Sequence, residues 1–466
     1  MRKHGVQILL MALALGVVHA VAEQPKVPRL EFTDQRLDNG LRVLIAPDHS
    51  APVFAIAVTY NVGSRNERPG RTGFAHLFEH MMFQGSENVG KGEHFILILN
   101  NGGGMNGTTT EDRTNYFEEL PKNQLDLALF LEADRMRSLA VNQANVDNQR
   151  NAVQEERRLS IDNQPYGKAD LEIDNLSYDN FAYKHSTIGS MADLDAASVD
   201  DVKDFFRIYY APNNVVVALV GDLDPQEALK KVEKYFGSIP SQPAPPKVDL
   251  AEPEHYGERR EVIFDPLARL PQLLISYHIP PGDTPENFEV QVLASILGGG
   301  GFGGGGFGGG FGGGQSSRFY QHLVKEKQLA VSIQTLPEAR IGPSLLEIIA
   351  TPRPGVKPED LEKAVYEEIE AVQKDGVTTQ EMEKARTQYL RSQIQGRQSS
   401  MQTAIRLGQY AVFFNDPDLI NTSFDKFSAV TQDQVKQAAQ KYLVTSERAV
   451  VTTLPARSQA RPAMGR

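Results

Sequence analysis

The 466-residue chain contains no cysteine. That absence excludes a disulfide scaffold, thiolate zinc sites, iron–sulfur clusters and a cysteine nucleophile, so any metal must be held by His, Asp or Glu. Positive charge is also in short supply: 48 Lys and Arg stand against 59 Asp and Glu, for a formal net charge of −11. An acidic surface of that size disfavours nucleic acid and anionic membrane as partners, while basic or neutral peptides are tolerated. Long apolar runs are missing as well. The longest, Ile8 to Val18, is about half of the roughly 20 residues needed to span a bilayer. Preceded by Arg2 and Lys3 and followed by the small-residue site Ala20-Val21-Ala22, it reads as a signal peptide over residues 1–22, cleaved before Glu23. The competing reading, a membrane anchor, requires a longer run. Loss of the two charges of Arg2 and Lys3 would take −11 to −13. An exported protein without cysteine suits the bacterial periplasm, which is the expected localisation.

What is present is enough to build cores. With 40% hydrophobic and 23% charged residues, the chain is neither disordered nor a coiled-coil rod, and its length calls for more than one folding unit. Pro240-Ser241-Gln242-Pro243-Ala244-Pro245-Pro246 breaks helix and strand patterns alike, so a linker is expected over 241–260, between an N-terminal half (23–240) and a C-terminal half (261–466). The halves resemble each other. Ala197 to Lys203, Tyr209 and the run Val215-Val216-Val217 echo Val430 to Lys436, Tyr442 and Ala449-Val450-Val451. Strands at Phe54–Tyr60 and Leu273–Tyr277 are each followed by a helix. Alternation such as Leu41 to Ile45 beside long helical stretches such as 124–139 predicts an α+β fold, with helices packed on mainly antiparallel sheets. One segment stands apart: residues 298–314 hold 14 glycines and three phenylalanines. Packing cannot recover so much backbone entropy, so a loop is expected, either an inert insertion or a flap over a cleft.

The chemistry concentrates at His76-Leu77-Phe78-Glu79-His80. On a helix, i and i+4 side chains share a face, so His76 and His80 can grip one ion while Glu79 lies alongside to take a proton from an attacking water. The arrangement is the inverse of the commoner zinc motif. Two core histidines satisfied by carbonyls would be the alternative. A hydrolytic zinc site needs a third protein ligand, and the helical stretch Asn142–Asn163 offers one. On a 3.6-residue wheel Val146, Ala152, Val153 and Leu159 span an apolar arc with Glu156 near its centre and Gln149 one heptad earlier, whereas Glu155 points about 100° away. A carboxylate within an apolar stripe is costly unless paired or metal-bound; the other reading is an ion pair with Arg150 or Arg157.

With these residues in place the chain resembles the pitrilysin-type, or inverzincin, zinc peptidases, which include mitochondrial processing peptidase and short bacterial two-half relatives. The resemblance runs through Asn106-Gly107-Thr108 and Glu111-Asp112-Arg113-Thr114-Asn115-Tyr116, through Tyr209-Tyr210-Ala211-Pro212-Asn213-Asn214 to Gly221-Asp222, and through Ser316-Ser317-Arg318. It implies a zinc endopeptidase whose two homologous halves enclose a chamber for short or unfolded peptides. It also implies Zn2+ on His76, His80 and Glu156, Glu79 as the catalytic group, and an edge strand at Asn106, Gly107 and Thr108 that pairs with extended substrate. The helix through Phe288 to Leu297 would be the structural counterpart of the metal helix.

Two departures stand out. Gln149 occupies a place where the family often has a second glutamate supporting the metal, and an amide brings no charge. In the second half the family usually presents an Arg and a Tyr that hold the substrate backbone; the matching places here are Val324 and Val331, which cannot donate a hydrogen bond. The resemblance therefore implies a partner subunit carrying that pair, a heterodimer. The alternatives are a self-sufficient homodimer using Arg318 or Tyr320 and a non-catalytic peptide-binding or assembly homologue.

Overall fold

Eleven strands among the described residues fall into two sheets. The first contains β1 (Thr33–Arg36), β2 (Arg42–Pro47), β3 (Val53–Tyr60), β4 (Gly104–Thr109), β5 (Thr114–Pro121) and β6 (Val215–Gly221), in the order β1-β2-β6-β3-β5-β4. The second contains β7 (Arg259–Asp265), β8 (Gln272–Ile279), β9 (Ala330–Pro337), β10 (Ser344–Pro352) and β11 (Arg448–Pro455), in the order β7-β11-β8-β10-β9. Without β1 the first order is the second over again. In both sheets one pair is parallel, β2 with β6 and β7 with β11, and every other pair is antiparallel. The repetition seen in the sequence is thus a repetition of sheet topology. This computed structural model describes residues 27–254, 257–299 and 314–456. The expected signal peptide and nearly all of the glycine-rich loop lie outside the described residues.

Fourteen α-helices among the described residues clothe these sheets. In the first half they are α1 (Phe74–Met81), α2 (Glu93–Asn100), α3 (Leu125–Ser138), α4 (Gln143–Arg157), α5 (Gly167–Ser177), α6 (Met191–Asp195), α7 (Val199–Tyr209) and α8 (Pro225–Phe236). In the second they are α9 (Pro285–Leu297), α10 (Pro358–Asp375), α11 (Thr379–Arg397), α12 (Ser400–Phe413), α13 (Leu419–Ala429) and α14 (Gln432–Tyr442). Residues 240–254 carry no regular structure, and β7 begins at Arg259, inside the expected linker.

One face of each sheet packs on helices of its own half, building two main cores around Val58, Leu77 and Leu129 and around Ile275, Leu293 and Val365. The opposite faces are covered reciprocally. α12 lies across β3 and β6, setting Ala404, Leu407 and Ala411 on Ala55, Ala57 and Ala218. α5 lies across β8 and β11, setting Ala169 and Ile173 on Leu274 and Val451. Small side chains make the approach close: a Cβ on Gly408 would stand 2.4 Å from Thr59 Oγ1. The exchange explains why β2 is buried on both faces, although Leu41 to Ile45 alternates like a strand with one wet face. Arg42 is accommodated by pairing with Asp34 and donating to Asn415 at 2.8 Å.

Further bonds tie the halves. Ile341 N donates to Asp112 Oδ2 at 2.7 Å, Gly342 N donates to Tyr183 at 3.0 Å, and Arg340 pairs with Asp174 at 3.1 Å. Between the halves a cavity of about 410 Å3 opens, walled by β4 and β5 on one side and by α9, α11 and α12 on the other.

Candidate metal centre

The helix bearing the motif is fixed at its first turn. Gly73 precedes α1 at φ +83°, and a Cβ there would meet Ile188 O at 2.7 Å, so backbone handedness and crowding both demand glycine. Buried Glu67 accepts from Gly73 N at 2.9 Å and Ala75 N at 2.8 Å, satisfying amides at the positive end of the helix. Its carboxyl is pushed up by burial against the opposing pull of His185, which sits 2.9 Å away, and of those amides. Phe74, Leu77, Phe78 and Met81 point into the core, which leaves His76, Glu79 and His80 directed at α4 and β4.

α4 begins at Asn142, whose side chain accepts from Asn145 N, and it is anchored by buried Val146 and Val153. Its last turn presents Glu156. His76 Nε2 lies 3.7 Å from Glu156 Oε1 and His80 Nε2 lies 3.1 Å from Oε2; the three donor atoms fall within 4.8 Å of one another. Two imidazole nitrogens and one carboxylate oxygen are the donor set that zinc accepts in hydrolytic sites, so these residues fit the ion. Their electrostatics set two imidazoles of opposite tendency against one carboxylate. Burial and the neighbouring His80 push His76 down to about 4, keeping it neutral. His80 is pushed down by burial, but the bond to Glu156 and the charge of Glu79 outweigh this and leave it raised. Glu156 is lowered, chiefly by its bond to His80.

The expected setting of Glu156 needs correction. Its side chain is 43% exposed, Ala152 is exposed and Leu159 is 57% exposed, so there is no apolar arc centred on it. From Arg158 to Asp162 the winding loosens to a π-helix, which breaks the 3.6-residue phase on which that arc depends. The expected competitors are engaged elsewhere: Arg150 pairs with Asp147, while Arg157 donates to Gly189 O and pairs with Asp162. Glu155 faces solvent beside Arg158. Gln149 Oε1 stands 3.3 Å from His80 Nδ1, an acceptor for that N–H when Nε2 carries the lone pair toward an ion.

Glu79 is buried between the metal donors and β4. Thr109 Oγ1 donates to its Oε2 at 2.5 Å. Burial raises its carboxyl and the Thr109 bond opposes the rise. A Cβ on Gly107 would stand 3.0 Å from Glu79 Oε1. β4 ends the first sheet, so one of its edges has no neighbouring strand; Asn106 is exposed, Gly107 buried and Thr108 partly buried. Arg113 steadies this strand by donating to Thr108 O at 2.9 Å. Thr109 and Glu67 escaped the sequence reading. Thr109 was within reach of it, being two residues beyond Gly107 and so on the same strand face.

In the second half α9 buries Phe288, Leu293 and Leu297 and carries no ligand set. Val324 is buried, whereas Val331 on β9 is 49% exposed. Arg318 is held by both oxygens of Glu381 at 2.9 Å. A second buried donor group, His94, Glu118 and Glu132, is already occupied, because Arg135 clamps Glu132 while lying 4.4 Å over the Tyr116 ring.

A family model described as insulinase (peptidase family M16) matches residues 42–188, and one described as the peptidase M16 inactive domain matches 196–389. The zinc protease PqqE of Helicobacter pylori is 30% identical over 408 residues, 87% of this chain and 87% of that protein. The chain belongs to peptidase family M16. The first match contains His76, Glu79, His80 and Glu156; the second spans β6 and most of the half without a ligand set. A crystal structure of a protease from Helicobacter pylori superposes with a TM-score of 0.85 at 28% identity, covering 92% of this chain and all of that one. A probable mitochondrial-processing peptidase subunit beta from Arabidopsis thaliana is 24% identical over 268 residues, 56% of this chain and 49% of its own length. The pitrilysin-type resemblance and the two-sheet α+β architecture read from the sequence therefore hold. No helix among the described residues is long and apolar enough to cross a membrane.

Proposed function

We propose that this M16 chain is a zinc endopeptidase subunit that hydrolyses short or unfolded peptides in the periplasm, completed by a homologous partner subunit. The observation that carries the reading is the convergence of two imidazoles and a carboxylate within 4.8 Å, beside a buried glutamate that touches an unpaired strand edge. His76 and His80 would hold Zn2+ through Nε2 and Glu156 through a carboxylate oxygen. An ion held there would supply Lewis acidity toward the scissile carbonyl and water. The chain's own residues do the rest. Gln149 fixes the tautomer of His80. Thr109 occupies Glu79 Oε2, so Oε1 is the oxygen that takes the proton of the attacking water and returns it to the leaving amine. Asn106, Gly107 and Thr108 align the peptide by backbone pairing along β4. The periplasm is supported by the N-terminal sequence alone.

The partner is inferred from Val324 and Val331, neither of which supplies a donor to a developing oxyanion. Loss of a preorganised donor of that kind costs about 100- to 1000-fold in rate. Of the two substitutes a self-sufficient homodimer would use, Arg318 or Tyr320, the first is bound up with Glu381, which favours the heterodimer. The test is hydrolysis of an unstructured peptide by the purified chain, alone and with the product of an adjacent homologous reading frame. Chelator-sensitive cleavage only in the mixture is expected. Robust cleavage by the isolated chain, indifferent to the partner and to Val324→Arg with Val331→Tyr, would refute the heterodimer. No cleavage in the mixture despite a full equivalent of zinc would favour a peptide-binding homologue.

A further inference from the structure

The cavity between the halves has an unbalanced charge. Of the described residues that wall it, Arg113 and Arg406 are the only charged ones, and none carries a carboxylate. Arg406, on α12, donates to the neutral Gln393 Oε1 at 2.9 Å and makes no ion pair with any described residue. Room has been left for its guanidinium: a Cβ on Gly396 would lie 3.1 Å from Nη2 and 3.3 Å from Nη1. The nearby Arg397 is pulled down by burial and by the charge of Arg406, so the neighbourhood adds positive charge. An arginine kept from any carboxylate in a chain of net charge −11 is a guanidinium offered to something else.

The sheet geometry says what reaches it. Side chains alternate along β4. Gly107 pairs with Tyr116 and lies on the Glu79 face, whereas Asn106 pairs with Phe117 on the opposite face. Asn106, Thr108 and Phe117 wall the cavity; Glu79 and the metal donors do not. A peptide added to the β4 edge has the same alternation, so every second side chain enters the cavity while those between face the metal centre. We propose that this cavity is a specificity pocket for an acidic side chain, Asp or Glu, with Arg406 as its charged partner. Resting on the proposed binding of peptide along β4, this adds which peptides are taken. It also runs against the long-range field, since a chain of this net charge draws basic peptides most strongly at a distance.

The test measures binding without turnover, by fluorescence anisotropy on full-length zinc-loaded Glu79→Gln protein. The probes are unstructured ten-residue peptides in which one Glu, Gln or Lys is moved through successive positions. At one position, and at those two residues away on the same strand face, Glu should bind about 5- to 30-fold tighter than Gln, the range of a charge-assisted hydrogen bond in a half-enclosed site. Arg406→Gln should bring the ratio close to one, Arg406→Glu should turn the preference to Lys, and Arg406→Lys should keep part of it. Melting temperatures close to the parent's establish that each variant is folded. Equal binding of Glu, Gln and Lys peptides, or a Glu preference that survives Arg406→Gln, would overturn the pocket while leaving the peptidase reading intact. Absence of binding by every peptide, both with the homologous partner subunit added and without it, would remove the β4 groove as a peptide site, and this pocket with it.

Discussion

Substitution of Gly107 by alanine isolates the placement of Glu79 from everything else in the site. The new methyl group would meet Glu79 Oε1 at 3.0 Å, Glu79 Cγ at 3.1 Å and Tyr116 Cδ1 at 3.2 Å, each tighter than an ordinary van der Waals contact by a few tenths of an ångström. Tyr116 is buried, lies under Arg135 and is 3.2 Å from Tyr210 Oη, so it cannot retreat; Glu79 must move. Its carboxylate is then dragged off the Thr109 bond and off the line to the attacking water. A shift of order 0.5–1 Å at a reacting group costs about 10- to 100-fold in kcat, equivalent to roughly 1.4–2.7 kcal/mol in the barrier. The expected fall in stability is smaller, about 1 kcal/mol from overpacking. His76, His80 and Glu156 are not touched, so zinc content stays at the parental level. Peptide hydrolysis, zinc by mass spectrometry and urea unfolding give the three readouts, with Gly107→Val as a stronger step in the same direction. A Gly107→Val protein with full zinc and parental kcat would refute the placement of proton transfer at Glu79.

Zinc content should fall sharply in His80→Ala and in Glu156→Gln yet stay near one equivalent in Glu79→Gln; full occupancy in Glu156→Gln would transfer the ligand role elsewhere on α4. Burial pushes the Glu79 carboxyl up and the Thr109 bond holds it down, so Thr109→Val should raise it further and move the acid limb of kcat/KM to higher pH; a limb that moves down or stays put contradicts the bond's role. Arg135 compensates Glu118 and Glu132, whose carboxyls burial raises from 4.5 to about 7. Arg135→Met should therefore cost about 3–5 kcal/mol in urea unfolding. Up to about pH 7 the raised carboxyls are protonated in the fold of parent and variant alike, whereas above it the parent's ionise beside Arg135 and the variant's resist, so the deficit should grow as pH rises beyond about 7; a pH-independent deficit would show that Arg135 acts by packing alone.

Periodicity exposed much of this structure before any coordinates. The motif helix and the two repeated strand–helix units follow from local spacing: His76 and His80 are four residues apart on α1, and β3 and β8 are both apolar runs that lead into helices. The edge position of Asn106, Gly107 and Thr108 came through resemblance, because nothing local distinguishes an edge strand from a central one. What stayed hidden is long-range. α5 and α12 are amphipathic segments whose target sheet no local pattern names, and the apolar stripe expected around Glu156 is absent, its side chain being 43% exposed. Its position follows from the convergence of α4 on α1; burial within α4 does not explain it. Arg406 lies 300 residues from Asn106, so only the closed chain brings them to one cavity.

The reciprocal placement of α5 and α12 has a consequence for how the chain comes into being. Synthesis delivers β1 to β6 by residue 221, but the helix that covers Ala55, Ala57 and Ala218 ends at Phe413. At roughly 5–20 residues per second, that face waits about ten to forty seconds for its cover. α5, made early, has nothing to sit on until β11 closes the second sheet at residue 455. Neither half can complete its own fold as it emerges, so the nascent chain carries an apolar sheet face and an unpartnered helix until translation is nearly over. Fragments cut within 241–254 should aggregate when expressed singly and regain solubility when expressed together.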